Sequence, residues 1–262
     1  MRIHSTAIVD PSAELAGDVE IGPFTIVEAG VRIGPGCVVG PHCVIAGGTT
    51  IGSGNHFFSN AQIGALPQDL KHLPGVTGRT EIGDNNIFRE SVTVSSGTVY
   101  QGDDHEKVTR IGSNCLLMAC SHVAHDCAVG NGVILANSVA LAGHVTVHDK
   151  AIIGGLTGVH QFVVIGRNAF IGGMTRVRQD ALPYMITDGA DARCHGPNKI
   201  GLERSGFTPE GIKRIKQIYK LLCRSDLNTT QALEAIERDV EDSEERRTLV
   251  DFVRASTRGV TK

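Results

Sequence analysis

Eleven histidines are distributed through this 262-residue chain, and five of them, His122, His125, His144, His148 and His160, fall within 39 residues. An imidazole with its ordinary pKa of about 6.5 is suited to take a proton from a hydroxyl or amine at neutral pH, so such a cluster is a candidate acid–base site. His125, Gly143 and Gln161 follow one another at a spacing of 18, as do Asp126, His144 and Phe162. His160 lies one residue from Gln161. If the chain retraces its path at that interval, His125, His144, His160 and Gln161 crowd one corner over three levels. At sheet spacing those levels span only about 10 Å, the size of a substrate site. A lone histidine in a turn is an ordinary solvated residue; the stacking sets this group apart. A second reading of the same imidazoles is a Zn²⁺ site shared between neighbouring levels.

What could hold the histidines in register is a repeat of six. Ile3, Val9, Leu15, Ile21, Val27, Ile33, Val39, Ile45, Ile51, Phe57 and Ile63 follow at that interval without a break, then Ile82, Phe88 and Val94. The third run goes from Ile111 through Leu117, Val123, Val129, Leu135, Leu141, Val147, Ile153, Val159, Ile165 and Ile171 to Val177. Each repeat makes one short strand and one tight turn, and three repeats close one triangular coil. The large aliphatic residue points inward, and small residues four places later, such as Thr25, Cys37, Cys43, Cys115, Ser121 and Cys127, share the narrow interior. Stacked coils pair their strands in parallel, so each unit is stable only beside its neighbours. An amphipathic helix would show a period of 3.6 instead. Gly often follows the aliphatic residue, as at Gly22, Gly34, Gly52 and Gly154, where a corner or a positive φ is expected.

Composition agrees with a narrow core. Aromatic residues make up 4% with no Trp, while Gly reaches 32. The seven cysteines lack paired CxxC spacing and are expected to be thiols that fill the interior. The N-terminus carries no signal-peptide pattern and no long apolar run appears, so a cytoplasmic protein without a membrane span is expected. With a net charge of −3, no nucleic-acid partner is expected.

The repeat breaks twice, and loops are expected at 65–79 and 95–110, inside a β-helical domain covering residues 1–190. Residues 191–262 are expected to form a helical domain. Thr208-Pro209 is a strong helix start, with Thr as N-cap and Pro at the first helical position. Ile212, Ile215, Ile218 and Leu222 follow as an apolar stripe, and weaker helices are expected around Thr230 to Val240 and Ser243 to Ala255. Residues 199–262 hold 13 Lys and Arg against 11 Asp and Glu, so the tail is at +2 while the first 198 residues stand at −5. Lys213, Lys216, Lys220 and Arg224 fall at helical offsets that put four cations on one face.

Four segments carry a closer likeness: Gln68-Asp69-Leu70-Lys71, Ser121-His122-Val123-Ala124-His125-Asp126-Cys127, Leu141-Ala142-Gly143-His144 and Val159-His160-Gln161-Phe162, with the ending Ser256-Thr257-Arg258-Gly259. Together they resemble the UDP-N-acetylglucosamine acyltransferases of lipid A biosynthesis, within the hexapeptide-repeat acyltransferases, over essentially the whole chain. The resemblance implies a mainly β fold, a left-handed parallel β-helix with a C-terminal α-helical domain. That handedness opposes the usual right-handed crossover. It also implies a homotrimer, no cofactor and no metal. A 3-hydroxyacyl chain would pass from acyl carrier protein to the 3-position of a UDP-sugar. By the same resemblance His125 is the general base, Asp126 orients it, and the Gly143 N–H steadies the oxyanion. Gln68, Asp69, Lys71, His122, His144, His160 and Gln161 would contact substrate, with Asn198 and Arg204 nearer the nucleotide. Gly173 would mark the far end of the acyl groove, and the cationic face of Lys213, Lys216, Lys220 and Arg224 would dock the carrier.

Departures from the family pattern bear on the acceptor. Ser95 and Ser96 stand where a His followed by a basic residue is common, and Ile200 and Ser205 where Glu and a second Arg are. Some relatives acylate a 3-amino sugar nucleotide, and the sequence leaves that choice open. Rival readings are an acetyl-CoA-dependent hexapeptide acetyltransferase and a zinc hydratase of the same architecture.

Overall fold

The computed structural model describes residues 1–102 and 107–262; residues 103–106, within the second expected loop, lie outside the described residues. The repeats form a left-handed parallel β-helix of triangular section. Among the described residues its three faces are sheets of eleven, nine and eight strands. Most strands are very short and pair with the strand three repeats on, as in His122↔Ala140 and Val123↔Leu141. At the two interruptions the register lengthens: Gln62 pairs with Thr93 and Thr93 with His122. The first loop runs between strands Gln62–Ala65 and Arg79–Ile82, the second between Thr93–Ser95 and Val108–Ile111.

The repeat residues fill the prism. Ile45, Phe57, Ile63, Leu117, Leu141, Ile153 and Ile165 are fully buried, and Phe57 stacks on Phe88 with centroids 4.6 Å apart. Each such side chain contributes roughly 1.5–3 kcal/mol through burial. The small inner residues do more than fill space. Thr25 Oγ1, Cys43 Sγ and Cys115 Sγ each donate to a carbonyl 15 residues on, at 2.6, 3.0 and 3.1 Å. Buried polar atoms are thereby paired inside an otherwise apolar prism.

Most glycines after the repeat residue have a different cause from the positive φ expected, which Gly64, at 78°, does show. Gly22 and Gly34 are not in the left-handed region; a Cβ there would lie 2.8 and 2.7 Å from backbone atoms of the next coil. They are small because the coils touch. Left-handed φ belongs instead to the second residue of many corners, including Asp126 at 58°, His144 at 59° and Phe162 at 66°. That conformation costs an L-residue about 1–2 kcal/mol, and Asp, Asn and His accept it more readily than most.

The prism does not give way directly to helices. Strand Met185–Asp188 joins the eleven-stranded sheet and pairs antiparallel with Arg193–Pro197, a hairpin the period of six could not reveal. Helices α1 (Lys199–Arg204), α2 (Pro209–Cys223), α3 (Thr229–Asp239) and α4 (Glu244–Ala255) follow. Thr208 caps α2 by accepting from Gly211 N, and Ile215, Ile218 and Leu222 bury the apolar stripe. The chain end returns to the prism at buried Asp180. Its carboxylate accepts from Val164 N at 2.8 Å and from the Ser256 hydroxyl at 2.6 Å, while Thr261 N donates to its carbonyl. No helix among the described residues is long and apolar enough to cross a membrane.

Candidate active site

Strand His122–Val123 turns the corner through Ala124, His125 and Asp126 before strand Ala128–Val129. Val123 points inward, which leaves His122 outside the prism and His125 at the turn. Cys127 turns in again; burial pushes its thiol up to about 12, so it is no nucleophile despite its place beside the histidine. The next corner carries Gly143 and His144, tied to the first by His144 N donating to the His125 carbonyl at 3.0 Å.

At 8% exposure, His125 is nearly enclosed. Its Nδ1 lies 2.9 Å from Asp126 Oδ2. With the carboxylate ionised, Nδ1 carries the proton and donates, and the Nε2 lone pair is left facing outward as a base. Burial works to raise the Asp126 carboxyl, but hydrogen bonds from His125 and Thr98 and the charge of His144 outweigh it and hold it below the usual range. Thr98 supplies both its N–H, at 3.1 Å, and its hydroxyl. The His144 ring meets His125 edge-on at 5.2 Å and stacks on Phe162 at 4.7 Å, with its Nε2 3.7 Å from Asp126.

The first interruption brings Asp69 to the same corner. Its Oδ2 lies 3.9 Å from His125 Nε2 and accepts from the Tyr100 hydroxyl at 2.9 Å. The Lys71 N–H holds the Asp69 carboxyl below its ordinary range against the effect of partial burial, with Tyr100 and His125 acting the same way. His72 joins the loops: its Nδ1 accepts from Val99 N at 3.1 Å. Gln68 and the Lys71 side chain are exposed on this loop. Thr98, Tyr100 and His72 escape a reading of the sequence because they sit off the repeat, where spacing carries no information.

Gly143 lies directly beneath the base. A Cβ there would fall 2.4 Å from His125 Cε1 and 2.5 Å from Nε2, so only glycine lets the imidazole rest at this height. Its carbonyl accepts from Phe162 N, while its own N–H donates to no acceptor among the described residues. A base and a free backbone donor thus meet at one point.

The other candidates are spread over the molecule. His122 and His160 line a groove of about 520 Å³ on the nine-stranded sheet, floored by Ala140, Ala142 and Gly158. His122 Nδ1 is 2.7 Å from the Thr93 hydroxyl, and burial pushes its imidazole down, the charge of His125 acting alike. His160 is exposed, with Nδ1 3.0 Å from the carbonyl of the half-buried Gln161. Asn198 is buried and committed to structure: it caps α1 by accepting from Gly201 N and donates to Asn168 O at 3.2 Å. Neither it nor exposed Arg204 bonds to the histidine corner within the protomer. Ser95 and Ser96 are buried, Ile200 is exposed, and Ser205 accepts from Asn168. Gly173 sits at an exposed corner above Gly155, whose carbonyl would be 3.2 Å from an added Cβ. Lys213, Lys216 and Lys220 line one shallow pocket on α2, but Arg224 is the C-cap, and its Nε donates to Tyr219 Oη at 2.6 Å.

One atom each from His125, Asp126 and His144 lie within 4.8 Å of one another, the set among the described residues that could hold a metal ion. A bound Zn²⁺ needs ligands at about 2.0–2.2 Å. Here His125 and Asp126 are already joined to each other by a hydrogen bond, the arrangement of an oriented base.

Comparison with known proteins gives this geometry its context. Residues 109–143 match the bacterial transferase hexapeptide repeats, and residues 180–261 match the second domain of UDP-N-acetylglucosamine O-acyltransferase. The acyl-[acyl-carrier-protein]–UDP-N-acetylglucosamine O-acyltransferase of Anaeromyxobacter sp. (strain K) is 47% identical over 262 residues, the full length of both chains. The UDP-N-acetylglucosamine O-acyltransferase structure from Moraxella catarrhalis superposes with a TM-score of 0.94 at 39% identity, covering all of both chains. The UDP-N-acetylglucosamine acyltransferase from Francisella novicida gives 0.94 at 38%, covering 99% of this chain and 93% of its own. An imidazole aimed by a carboxylate and set over a free glycine amide is therefore found in a protein alike along its whole length to these enzymes: the chain belongs to the acyl-[acyl-carrier-protein]–UDP-N-acetylglucosamine O-acyltransferase family.

Proposed function

We propose that this protein moves a 3-hydroxyacyl chain from acyl carrier protein to the 3-position of UDP-N-acetylglucosamine, the first step of lipid A biosynthesis. The observation that carries the reading is the His125–Asp126 pair set directly above the free Gly143 N–H. His125 Nε2 takes the proton from the sugar hydroxyl as its oxygen attacks the thioester carbonyl. The negative charge that develops on the carbonyl oxygen faces the Gly143 N–H, a fixed donor that requires no reorganisation. Collapse breaks the C–S bond, and the imidazolium returns its proton to the departing thiolate. Asp126 stabilises the charged imidazole between the two transfers. No covalent enzyme intermediate is needed.

Asp69, held by Tyr100, sits opposite the base and is suited to accept from a neighbouring hydroxyl of the sugar. Tyr100→Phe removes the hydrogen bond that holds Asp69, worth about 1 kcal/mol. Steady-state kinetics should show the acceptor KM rising several-fold with kcat little changed; a kcat loss alone would place Tyr100 elsewhere. Asn198 and Arg204 do not reach the corner within one protomer, which supports a homotrimer whose sites lie between subunits. Sedimentation at assay concentration tests this, and a fully active monomer would contradict it.

The lysines of α2 fit an acidic carrier partner. Complementary charge accelerates encounter and is screened within about 8 Å at physiological ionic strength. Lys216→Glu with Lys220→Glu should raise KM for the acyl carrier and flatten its salt dependence, with KM for the nucleotide sugar unchanged. An unaltered carrier KM would leave this face merely solvated. The decisive assay offers UDP-N-acetylglucosamine and its 3-amino analogue with several hydroxyacyl carrier proteins; transfer to neither sugar would refute the proposed activity.

A further inference from the structure

The groove on the nine-stranded sheet starts at the histidine corner and is two columns wide. One column runs His122, Ala140, Gly158 and Arg176, each paired with the next across neighbouring strands. The other, two residues further along the chain, runs Ala124, Ala142, His160 and Arg178 at the same spacing of 18. Val123, Leu141, Val159 and Val177 between them are buried in the prism, so both columns face outward. Ala140, Ala142 and Gly158 keep the floor low and apolar, and then both columns end in an arginine on the same coil. Arg176 and Arg178 line this groove and also a separate cleft of about 450 Å³, so their side chains form the ridge between the two. Asp191 aligns them, with its Oδ1 3.0 Å from Arg176 Nη2 and 3.4 Å from Arg178 Nη2. All three side chains are more than half exposed, so the pairing orients the arginines and adds little stability.

An apolar floor that begins beside a base and ends at two charges suits an acyl chain of limited length. Its near end lies at the His125 imidazole and the Gly143 N–H, where the thioester carbonyl reacts in the proposed transfer. Each methylene laid on the floor leaves water, whereas one pushed against the ridge strips water from a guanidinium and offers it no hydrogen bond. From Gly143 to Arg178 is two strand rungs down and one residue across, about 10 Å; to Arg176 it is two rungs and three residues, about 14 Å. At about 1.25 Å of advance per bond, an extended chain covers that distance in roughly eight to eleven bonds, which is about nine to twelve carbons. Gly173 is on the same coil as the ridge, at the corner preceding strand Arg176–Val177, and has no side chain to project. We infer that Arg176 and Arg178, aligned by Asp191, close the acyl groove and set the length of 3-hydroxyacyl chain the protein transfers. This rests on the proposed acyl transfer and moves the length determinant from Gly173 to the two arginines.

The test is a donor series, 3-hydroxyacyl carrier proteins with chains from eight to sixteen carbons in steps of two, compared by kcat/KM with UDP-N-acetylglucosamine as acceptor. The wild type should peak at ten or twelve carbons and fall about tenfold for the next longer donor, the usual cost of methylenes a pocket cannot take. Arg176→Ala with Arg178→Ala opens the groove by about one rung of 4.8 Å, so the peak should move roughly two to four carbons longer. The ratio of kcat/KM for the fourteen-carbon donor to that for the ten-carbon donor should rise at least about tenfold. Because both side chains are exposed, the thermal midpoint should stay in place. An unchanged length profile, or the same loss at every length, would overturn the assignment. Calorimetric binding of free 3-hydroxy fatty acids of the same lengths gives a readout independent of turnover. If the wild type transfers no acyl group, yet its affinity peaks at ten or twelve carbons and the peak moves in the double variant, the ridge stands and the proposed activity fails. Affinity without a length optimum, or with the same optimum in both proteins, overturns the ridge.

Discussion

His125→Ala is expected to lower kcat by about 10²–10⁴-fold, the usual worth of a positioned acid–base group, with the protein folded and KM for the nucleotide sugar little changed. Three features make this the largest expected effect. The imidazole is nearly enclosed, so water cannot readily replace it, and its Nδ1 is committed to Asp126. His144, the nearest other imidazole, approaches edge-on with its own Nε2 towards Asp126, and cannot present a lone pair at the same point. The substitution should spare the fold, because Val123 and Cys127, not His125, fill the prism at this level. Thermal unfolding separates the cases: loss of turnover with an unchanged midpoint assigns chemistry, whereas near wild-type turnover removes His125 from the role of base.

The second large effect needs only one methyl group. Gly143→Ala sets a Cβ 2.4 Å from His125 Cε1, well inside any real contact, so the ring must move. A displacement of about 1 Å at a reacting group costs on the order of 10²-fold in rate. We expect a kcat loss of that size, with overpacking lowering stability by about 1–3 kcal/mol. The Gly143 amide remains in the variant, so the loss would come from the misplaced base. A variant with full activity would mean that the corner relaxes without moving the imidazole, and the close fit would have no catalytic meaning.

How far the sequence can be read depends on whether a residue sits on the repeat. Leu117, Val123, Leu135 and Leu141 announce their inward direction by spacing alone, and the stacking of His125 over Gly143 follows from the same count. The cause of the recurrent glycines is hidden because close approach between coils is a distance between residues a full coil apart, invisible in the local turn. The hairpin of Met185–Asp188 with Arg193–Pro197 is not legible since it turns antiparallel just where the period ends. Asn198 is placed near the nucleotide by the resemblance and by no spacing in the chain; within the protomer its amide serves a helix cap and the Asn168 carbonyl. Arg224 extends a helical face on paper, yet α2 stops one residue before it. Thr98 and Tyr100, which hold Asp126 and Asp69, come from a loop whose path no periodicity encodes.

The contact between successive glycines has one more consequence. With Gly22 against Gly40 and Gly34 against Gly52, the distance between coils cannot be tuned by side-chain choice, so length along the prism comes in fixed rungs of about 4.8 Å. One whole coil of three repeats added between His144 and Arg176 would leave every corner facing as before and move the two ends of the groove apart by one rung. An insertion of any fraction of a coil would turn the downstream residues onto a different face. The architecture behaves as a graduated scale on which evolution, or a designer, changes the separation of two sites by counting coils and leaves the chemistry at each end untouched.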